Sequence, residues 1–251
     1  MRILAIDTAT ESCSAALLLE GQLLQRAQRL ERGHSRVILP MVDELLGEAG
    51  VGLVTLSAIA FGRGPGAFTG VRLAASVAQG LAFGAGLPVV PVSDLQALAQ
   101  RALDDDRAVG RVLVCADARM REVYWACFER SSQSLAGRSG EERVSPPADV
   151  RLPSAWVPEG RPDSPGTATS PQPGQRLGTL AGIGSGFAVY PELRSALDLD
   201  VVLEGLLPRA AEIAQLAVPE VAAGRFLPPE QALPVYLRDD VARPQSGSSR
   251  N

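Results

Sequence analysis

An acidic residue and two hydroxyl side chains stand at the first predicted turn of the chain. Asp7, Thr8 and Thr10 follow the apolar run at residues 3–6 and precede a second apolar segment. In phosphate-binding proteins that open with such a hairpin, the turn contacts phosphate through backbone N–H groups and hydroxyls, and the acid helps to hold a metal ion. The three residues are therefore the candidate nucleotide or phosphate contacts. The alternative is that they hydrogen-bond only the turn itself, which contains no glycine.

A glycine-rich segment is the most specific string in the chain: G-R-G-P-G-A-F-T-G-V-R at residues 62–72. Glycines between a strand and a helix can bring backbone N–H groups to an anion. The string matches neither G-x-x-x-x-G-K-[ST] nor G-x-G-x-x-G, and the chain has no lysine, so a P-loop is excluded. The plainer interpretation is structural, with Pro65 stiffening a tight loop and Thr69 capping the next helix.

Other side chains with catalytic potential are few. His34 is the single histidine, so no two-histidine metal site can form within the chain, and its place beside a helix start favours a solvated or capping role. Asp7, Asp117 and Glu122 could meet across a cleft for carboxylate chemistry, although spacing alone does not bring them together. The three cysteines are widely spaced and include no C-x-x-C pair, which predicts reduced core residues. We therefore predict no catalytic residue and no metal site.

The composition indicates a globular protein with an ample core. Of the 251 residues, 46% are hydrophobic, and the length allows one large domain or two modest ones. The net charge of −4 argues against unaided binding of nucleic acid, which depends on clustered positive charge. The N-terminal residues do not read as a signal peptide, and no apolar run has the length of a membrane span. We expect a cytoplasmic protein that makes no contact with a membrane.

The first hundred residues predict a meander of three strands followed by alternating helices and strands. The predicted strands are at 3–6, 14–20, 23–30, 58–61 and 89–92. The predicted helices run from Ser35 to an end marked by Gly47 and Gly50, from about Thr69 to Phe83, and from Ser93 to about Leu103. Three leading antiparallel strands do not open a Rossmann-like sheet. They do open the ribonuclease-H-like half of the actin, sugar-kinase and heat-shock ATPase fold. The fold class predicted is accordingly a two-lobed α/β protein of that type.

Residues 111–117 form a second predicted strand that ends in an acid, as the first strand does at Asp7. Residues 122–128 form the strand that follows, as residues 14–20 do near the start. This weak internal repeat predicts an N-terminal lobe at 1–105 and a second lobe at 106–225. Within the second lobe, residues 131–176 read as a Ser-, Pro- and Gly-rich insertion, with 161–174 as its flexible part. Order returns with a strand at 177–183 and a helix at 208–218, and 226–251 is predicted to be an extended tail.

The second helix carries small side chains on one face. Gly70, Ala74, Ala78 and Ala82 recur at four-residue intervals beside an apolar stripe. A soluble helix that is apolar over so much of its circumference is covered on two sides. Its own sheet accounts for one side. A partner helix at close approach, or burial within the same lobe, accounts for the other.

Four strings, in order along the chain, resemble the TsaB (YeaZ) family of tRNA threonylcarbamoyladenosine biosynthesis. They are M-R-I-L-A-I-D-T-A-T at the start, H-S-R-V-I-L-P-M-V from 34, G-R-G-P-G-A-F-T-G-V-R from 62, and D-A-R-M-R-E-V-Y-W-A from 117. The resemblance is close up to about residue 130, and P-V-Y-L-R at 234–238 continues it. It implies the two-lobed actin-like fold and a role as a subunit rather than as the catalyst.

The resemblance also implies the partners. The catalytic subunit would be TsaD, a related protein that carries histidines where this chain has Asp94 and Leu98, so that the metal site of TsaD is lost here. A TsaE-type ATPase and tRNA would act through the complex. The first two helices would form the partner surface, with Val37 and Met41 on one and Gly70, Ala74 and Ala78 on the other. This chain would need no cofactor of its own, while ATP or ADP could bind in the assembled complex.

Two other functions remain open from the sequence. One is an enzyme, as a metal-independent peptidase or a kinase. The missing histidine cluster disfavours a metallopeptidase, and the altered hairpin turn disfavours a kinase. The other is a nucleotide-binding scaffold that forms a homodimer in isolation through the same helical surface.

Overall fold

The first of two mixed β-sheets is built from the N-terminal strands. The computed structural model describes residues 1–157 and 178–238. The sheet has the strand order β3-β2-β1-β4-β5. Strands β1, β2 and β3 are antiparallel neighbours, whereas β4 and β5 continue from β1 in parallel. The strands are β1 (Arg2–Asp7), β2 (Ser12–Leu19), β3 (Gln22–Arg29), β4 (Ala58–Gly62) and β5 (Val89–Val92).

The second sheet repeats this plan. Its order is β11-β10-β6-β7-β8, with β9 paired to β7, and β10 and β11 run parallel to β6. The strands are β6 (Val109–Arg119), β7 (Glu122–Arg130), β8 (Ala136–Arg138), β9 (Arg143–Ser145), β10 (Thr179–Ile183) and β11 (Val201–Leu203). In both sheets three antiparallel strands are followed by two parallel ones, in the spatial order third, second, first, fourth, fifth. The predicted two-lobed ribonuclease-H-like class is therefore confirmed.

Six α-helices connect and cover the sheets in the described part of the chain. They are α1 (His34–Ala49), α2 (Phe68–Ala85), α3 (Asp94–Asp105), α4 (Gly186–Val189), α5 (Glu192–Leu197) and α6 (Ala210–Ala222). Four single turns of 3-10 helix lie at Leu53–Thr55, Pro147–Asp149, Ser154–Trp156 and Pro229–Gln231.

The helix ends test the predicted capping residues. Ser93 caps α3 as predicted, because its hydroxyl accepts a hydrogen bond from the backbone N–H of Gln96 at 3.2 Å. The prediction for Thr69 is wrong: α2 begins at Phe68, the capping position is Ala67, and no side chain caps it. Helix α1 ends at a left-handed Gly50, in line with the predicted end of that helix.

Two helices pack on the sheet of the other half of the chain. Helices α1 and α2 cover one face of the first sheet, and α6, which follows β11, covers its other face. Helix α3, which follows β5, packs on the second sheet, whose opposite face is covered by α4 and α5. Helices α3 and α6 also contact each other. The predicted boundary near residue 105 thus falls at the end of a helix that packs on the second sheet.

Coverage on both faces explains the apolar strands. From Ile3 to Asp7 every residue of β1 is buried, and all five residues of β4 are buried. A fully buried large side chain such as Phe61 contributes about 1.5–3 kcal/mol through the area removed from water. These two central strands therefore hold the turns that follow them on a rigid frame.

The second lobe differs from its prediction in several places. The part of the predicted insertion up to residue 157 is ordered: it contains β8 and β9, and Trp156 is buried in the core. Residues 158–177, including the segment predicted to be flexible, and the last residues of the tail from 239 lie outside the described part. The helix predicted at 208–218 begins at Ala210 and continues to Ala222. None of the helices in the described ranges has the length and apolar character needed to span a membrane.

Candidate functional site

The turn between β1 and β2 carries the three predicted phosphate contacts, and two of them, Asp7 and Thr8, are buried. Asp7 is fully buried and Thr8 is 1% exposed. Asp7 Oδ1 accepts a hydrogen bond from the backbone N–H of Ala9 at 2.8 Å, and the Thr8 hydroxyl donates to the carbonyl of Gly70 at 2.7 Å. Thr10 Oγ1 accepts from the N–H of Ser12 at 3.2 Å. Asp7 and Thr10 therefore accept hydrogen bonds within the turn, as the alternative predicts, whereas Thr8 bonds the start of α2.

A second carboxyl group, on Asp94, faces Asp7 in the interior. Asp94 starts α3 and is 2% exposed, and the two carboxyls lie within hydrogen-bonding reach of each other. Asp94 Oδ2 accepts from the N–H of Gly64 at 2.5 Å. Asp7 Oδ2 and Asp94 Oδ1 have no other hydrogen-bond partner among the described residues. A proton shared by the two carboxyl groups would reduce the cost of burying them side by side.

Burial controls the titration of this pair. Desolvation raises the pKa of Asp94 well above its ordinary value, and the adjacent Asp7 raises it further. Desolvation also raises the pKa of Asp7 to about 6, against the lowering effect of the hydrogen bond from Ala9. The buried Glu212, itself paired with Arg209, adds a smaller upward shift. The pair therefore holds a proton well above the pH at which an exposed aspartate loses it.

Gly62 makes room for the two carboxyls. A Cβ atom at Gly62 would lie 2.4 Å from Asp94 Oδ1 and 3.0 Å from Asp7 Oδ1. The glycine-rich loop after β4 is therefore held against the pair on its inner side. This is the structural interpretation of the loop, because its Gly64 N–H is already bonded to a carboxylate of the chain itself.

The other predicted carboxylate contacts do not form. Asp117 lies in β6 near the β6–β7 turn, where it pairs with Arg119 at 3.2 Å and accepts a hydrogen bond from the Tyr190 hydroxyl at 3.3 Å. Glu122 forms an ion pair with Arg238. The possible meeting of Asp7, Asp117 and Glu122 does not occur in this structure, and the carboxyl that lies beside Asp7 is Asp94.

The single histidine and the cysteines are held by the fold. His34 Nε2 lies 2.9 Å from the carbonyl oxygen of Thr10, so α1 is tied to the β1–β2 turn. The three cysteines are unpaired and buried. Burial raises the pKa of Cys13 to about 11, which disfavours the reactive thiolate. Among residues 1–157 and 178–238, no three side chains of the metal-binding types converge on one point.

The small-residue face of α2 is buried within its own lobe. Ala74, Ala78 and Ala82 are all fully buried. A Cβ atom at Gly70 would lie 2.1 Å from the carbonyl oxygen of Thr8, so this glycine lets the start of α2 approach the β1–β2 turn. Burial within the lobe, the alternative to a partner helix, therefore accounts for Ala74 and Ala78 in this conformation.

The outward surface of α1 and α2 consists of neighbouring residues. Met41 is 8% exposed and Val37 is half-buried, both packed on the lobe's core. Leu39 is 48% exposed, and Ser76 and Gly80 face solvent on α2. The two helices contact each other and contribute to the same core cluster. We call the exposed side of this helix pair, with Leu39, Ser76 and Gly80 as its reference residues, the α1–α2 surface.

The sequence reasoning missed a stacked cluster at the start of α2. The guanidinium carbon of Arg72 lies 3.3 Å from the ring centroid of Phe68 and 4.8 Å from that of Tyr236. Phe68 is 61% exposed and Tyr236 is 46% exposed. The four-residue spacing of Phe68 and Arg72 could have predicted their contact. No local signal could have placed Tyr236, more than 160 residues later, beside them.

The strand order of the two sheets defines the class: a two-lobed α/β protein of the ribonuclease-H-like type. In its first turn, the side chains of Asp7, Thr8 and Thr10 are hydrogen-bonded within the lobe. Comparison with known proteins agrees with this class. The family described as "TsaD: tRNA N6-adenosine threonylcarbamoyltransferase" matches residues 28–224. A structure described as "YeaZ from Pseudomonas aeruginosa" superposes with a TM-score of 0.79 at 42% identity, over 94% of this chain and 99% of that one.

Full-length relatives make the assignment specific. The Escherichia coli K12 protein named "tRNA threonylcarbamoyladenosine biosynthesis protein TsaB" is 39% identical over 248 residues, 96% of each chain. The Haemophilus influenzae protein of the same name is 36% identical over 244 residues, 96% of this chain and 95% of the relative. A further Pseudomonas aeruginosa structure, with a TM-score of 0.80, is described as similar to "peptidase YEAZ". The chain belongs to the TsaB (YeaZ) family, as the four strings predicted.

Proposed function

We propose that this chain is a non-catalytic subunit required for the threonylcarbamoylation of adenosine next to the tRNA anticodon. In this proposal it binds and activates a TsaD-type catalytic subunit. A TsaE-type ATPase and tRNA act through the complex. The relatives named for tRNA threonylcarbamoyladenosine biosynthesis support the process. The buried acid and Thr8 of the β1–β2 turn support a non-catalytic role for this chain, with catalysis by the TsaD-type subunit.

The observation that carries the proposal is the Asp7–Asp94 pair. Proteins that use this turn catalytically need an exposed acid and free N–H groups for phosphate or a metal ion. Here both acids are buried, and the hydroxyl of Thr8 and the N–H of Gly64 are bonded within the lobe. Chemistry at this turn would first require the lobe to open. A subunit that stabilises another protein has no such requirement.

The α1–α2 surface is the region that we assign to the partner. It combines exposed apolar side chains such as Leu39 with small residues, including Ser76 and Gly80, that allow close approach of another helix. No cofactor is assigned to this chain itself, and ATP or ADP would bind in the assembled complex. A second copy of the chain could occupy the same surface when the partner is absent.

The peptidase alternative has less support from the geometry. A serine or cysteine peptidase of the usual kind needs a histidine beside its nucleophile. His34 is the only histidine of the chain, and its Nε2 is directed to a backbone carbonyl. The buried cysteines, with the pKa of Cys127 raised to about 12 by burial, also lack the properties of a nucleophile.

Direct binding tests the proposal. The purified chain is titrated into a cognate TsaD-type subunit by calorimetry, and the complex is sized by light scattering. We expect a one-to-one heterodimer that forms at the expense of any homodimer, because both use the same surface. If no complex forms between the two full-length proteins, the proposed activation by direct contact is wrong.

A further inference from the structure

The last described segment of the chain connects the two lobes. We call residues 233–238 the strap. On the first lobe, the backbone N–H of Val235 donates to the carbonyl of Arg63 at 2.7 Å, immediately after β4. Tyr236 continues this contact through its stacking with Arg72. The strap therefore begins against the glycine-rich loop of the first lobe.

The other end of the strap is fixed to the second lobe. Arg238 forms an ion pair with Glu122 and donates to the carbonyl of Ala118 at 3.1 Å. Its Nη1 also lies 3.3 Å from the sulfur of Met120. The Arg238 side chain is only 18% exposed, so these contacts are partly shielded from water. A charged, partly buried hydrogen bond of this kind is among the stronger polar contacts in proteins.

The position of the strap follows from the repeated plan of the two sheets. The β6–β7 turn, which receives Arg238, is the counterpart in the second sheet of the β1–β2 turn in the first. The loop that receives Val235 lies against the β1–β2 turn, since the N–H of Ala67 donates to the carbonyl of Ala9 at 2.7 Å. The strap thus runs from one of these equivalent regions to the other.

Arg63 joins the strap to a second contact between the lobes. While its carbonyl accepts from Val235, its guanidinium pairs with Glu142 of the β8–β9 loop at 2.8 Å. The side chains of Arg63 and Glu142 are 16% and 4% exposed. Removal of either partner would leave a buried charge, which makes the contact hard to break. The strap therefore meets the first lobe at a residue that is already fixed to the second.

We propose that the strap is an intramolecular lock, which holds the two lobes in one fixed arrangement by joining the Arg63 loop to the β6–β7 turn. In two-lobed proteins, closure usually depends on a ligand between the lobes. Here residues 233–238 of the chain itself make the contacts that connect the lobes, so the arrangement of the two lobes is set without a ligand. This inference does not depend on the proposed function, because it concerns the isolated chain.

The distance between the lobes tests the lock. Spin labels are attached to Ser76→Cys on α2 and Ser195→Cys on α5, both exposed helical positions in different lobes. The native cysteines are all buried and are expected to remain unlabelled. Pulsed dipolar spectroscopy is then recorded on the full chain with and without Arg238→Ala. Arg225→Ala is the control, because Arg225 pairs with Glu220 at the end of α6 and joins no lobes.

We expect one narrow distance distribution for the parent and for Arg225→Ala. Arg238→Ala should add a population at longer distance and accelerate hydrogen exchange at the Val235 amide about tenfold, equivalent to ~1.4 kcal/mol. Glu122→Gln, which removes the charge and keeps the volume, should give the same change to a smaller extent. Glu122→Gln serves as the test of the lock if Arg238→Ala fails to fold. Unchanged distances in the variant that folds would show that the strap is a passive covering, and the lock would be wrong.

Discussion

At the scale of single residues, two buried carboxyl groups lie side by side at the first turn of the chain. Asp7 and Asp94 come from the end of β1 and the start of α3, and the N–H of Gly64 is bonded to one of them. A shared proton lets both remain buried without an uncompensated pair of charges. The stability of the first lobe should therefore depend on pH through this pair.

The pH dependence has a definite sign. The folded-state pKa of Asp7 is raised from 3.8 to about 6, and that of Asp94 is also raised. An acid of this kind stabilises the fold at low pH, and the contribution is lost as the pH rises through the folded-state pKa. We expect Asp94→Asn, which is always neutral, to exceed the parent in unfolding free energy at pH 8 by about 1–3 kcal/mol, with a much smaller difference at pH 4.

Urea unfolding at the two pH values measures this difference. Asp43→Asn on the exposed side of α1 is the matched control, because it makes the same substitution at a carboxyl outside the buried pair. A constant difference for Asp94→Asn between the two pH values would contradict the shared proton.

The sequence identified Asp7, Thr8 and Asp94 as notable residues but not their relation. Asp7 and Asp94 are 87 positions apart, and only the pairing of β1 with β4, and of β4 with β5, brings α3 to the β1–β2 turn. The same limit applies to Arg63 and Glu142. Residue type and local spacing predict which groups are chemically capable, whereas long-range strand order decides which of them meet.

At the scale of elements, the glycines of α2 differ in how much space surrounds them. Gly70 contacts the backbone of Thr8, while a Cβ atom at Gly80 would meet nothing within 4 Å. Gly70→Ala should lower the unfolding free energy by about 2 kcal/mol, since a backbone must move. Gly80→Ala should raise it by up to about 1 kcal/mol through helix propensity. Thermal and urea unfolding of the two variants provide the measurement. Equal effects would show that the start of α2 is not packed on the turn.

The outer face of the same helix should affect the complex and not the fold. Ser76→Arg introduces a large charged side chain on the α1–α2 surface, and we expect at least a tenfold weaker affinity for the TsaD-type subunit, about 1.4 kcal/mol or more. Ser195→Arg on α5 is the matched control, because it changes an exposed helical serine in the second lobe. Both should unfold as the parent does. Equal affinities for the two variants would place the partner elsewhere.

Elements with strong periodicity were predictable. Strands β1 to β5 and helices α1 to α3 lie within a few residues of their predicted positions. The short elements β8, β9 and β11 were missed, because three residues carry too little pattern to indicate a strand. Helix α6 was found, but its packing on the first sheet was not, since an apolar face does not identify the sheet that it covers.

At the scale of the whole molecule, the two sheets share one strand order, and the first turn of the first sheet has its acid and Thr8 buried. Helices α3 and α6 each pack on the sheet of the other half of the chain and so join the two lobes at their interior, and the strap joins them at the surface. The predicted repeat and fold class followed from three leading strands and a restart near residue 112. The contact of Arg63 with Glu142 spans 79 residues and that of Arg238 with Glu122 spans 116, so no local pattern in the sequence indicates them. Such a molecule is suited to present a fixed surface to a partner.

In the proposed function, the chain is required for the reaction without catalysing it. Cognate TsaD-type and TsaE-type proteins, tRNA and threonylcarbamoyl adenylate are combined with and without this chain, and the modified adenosine is quantified by mass spectrometry. We predict modification only when the chain is present, reduced modification with Ser76→Arg, and full modification with Ser195→Arg. Equal modification in the absence of the chain would contradict the account.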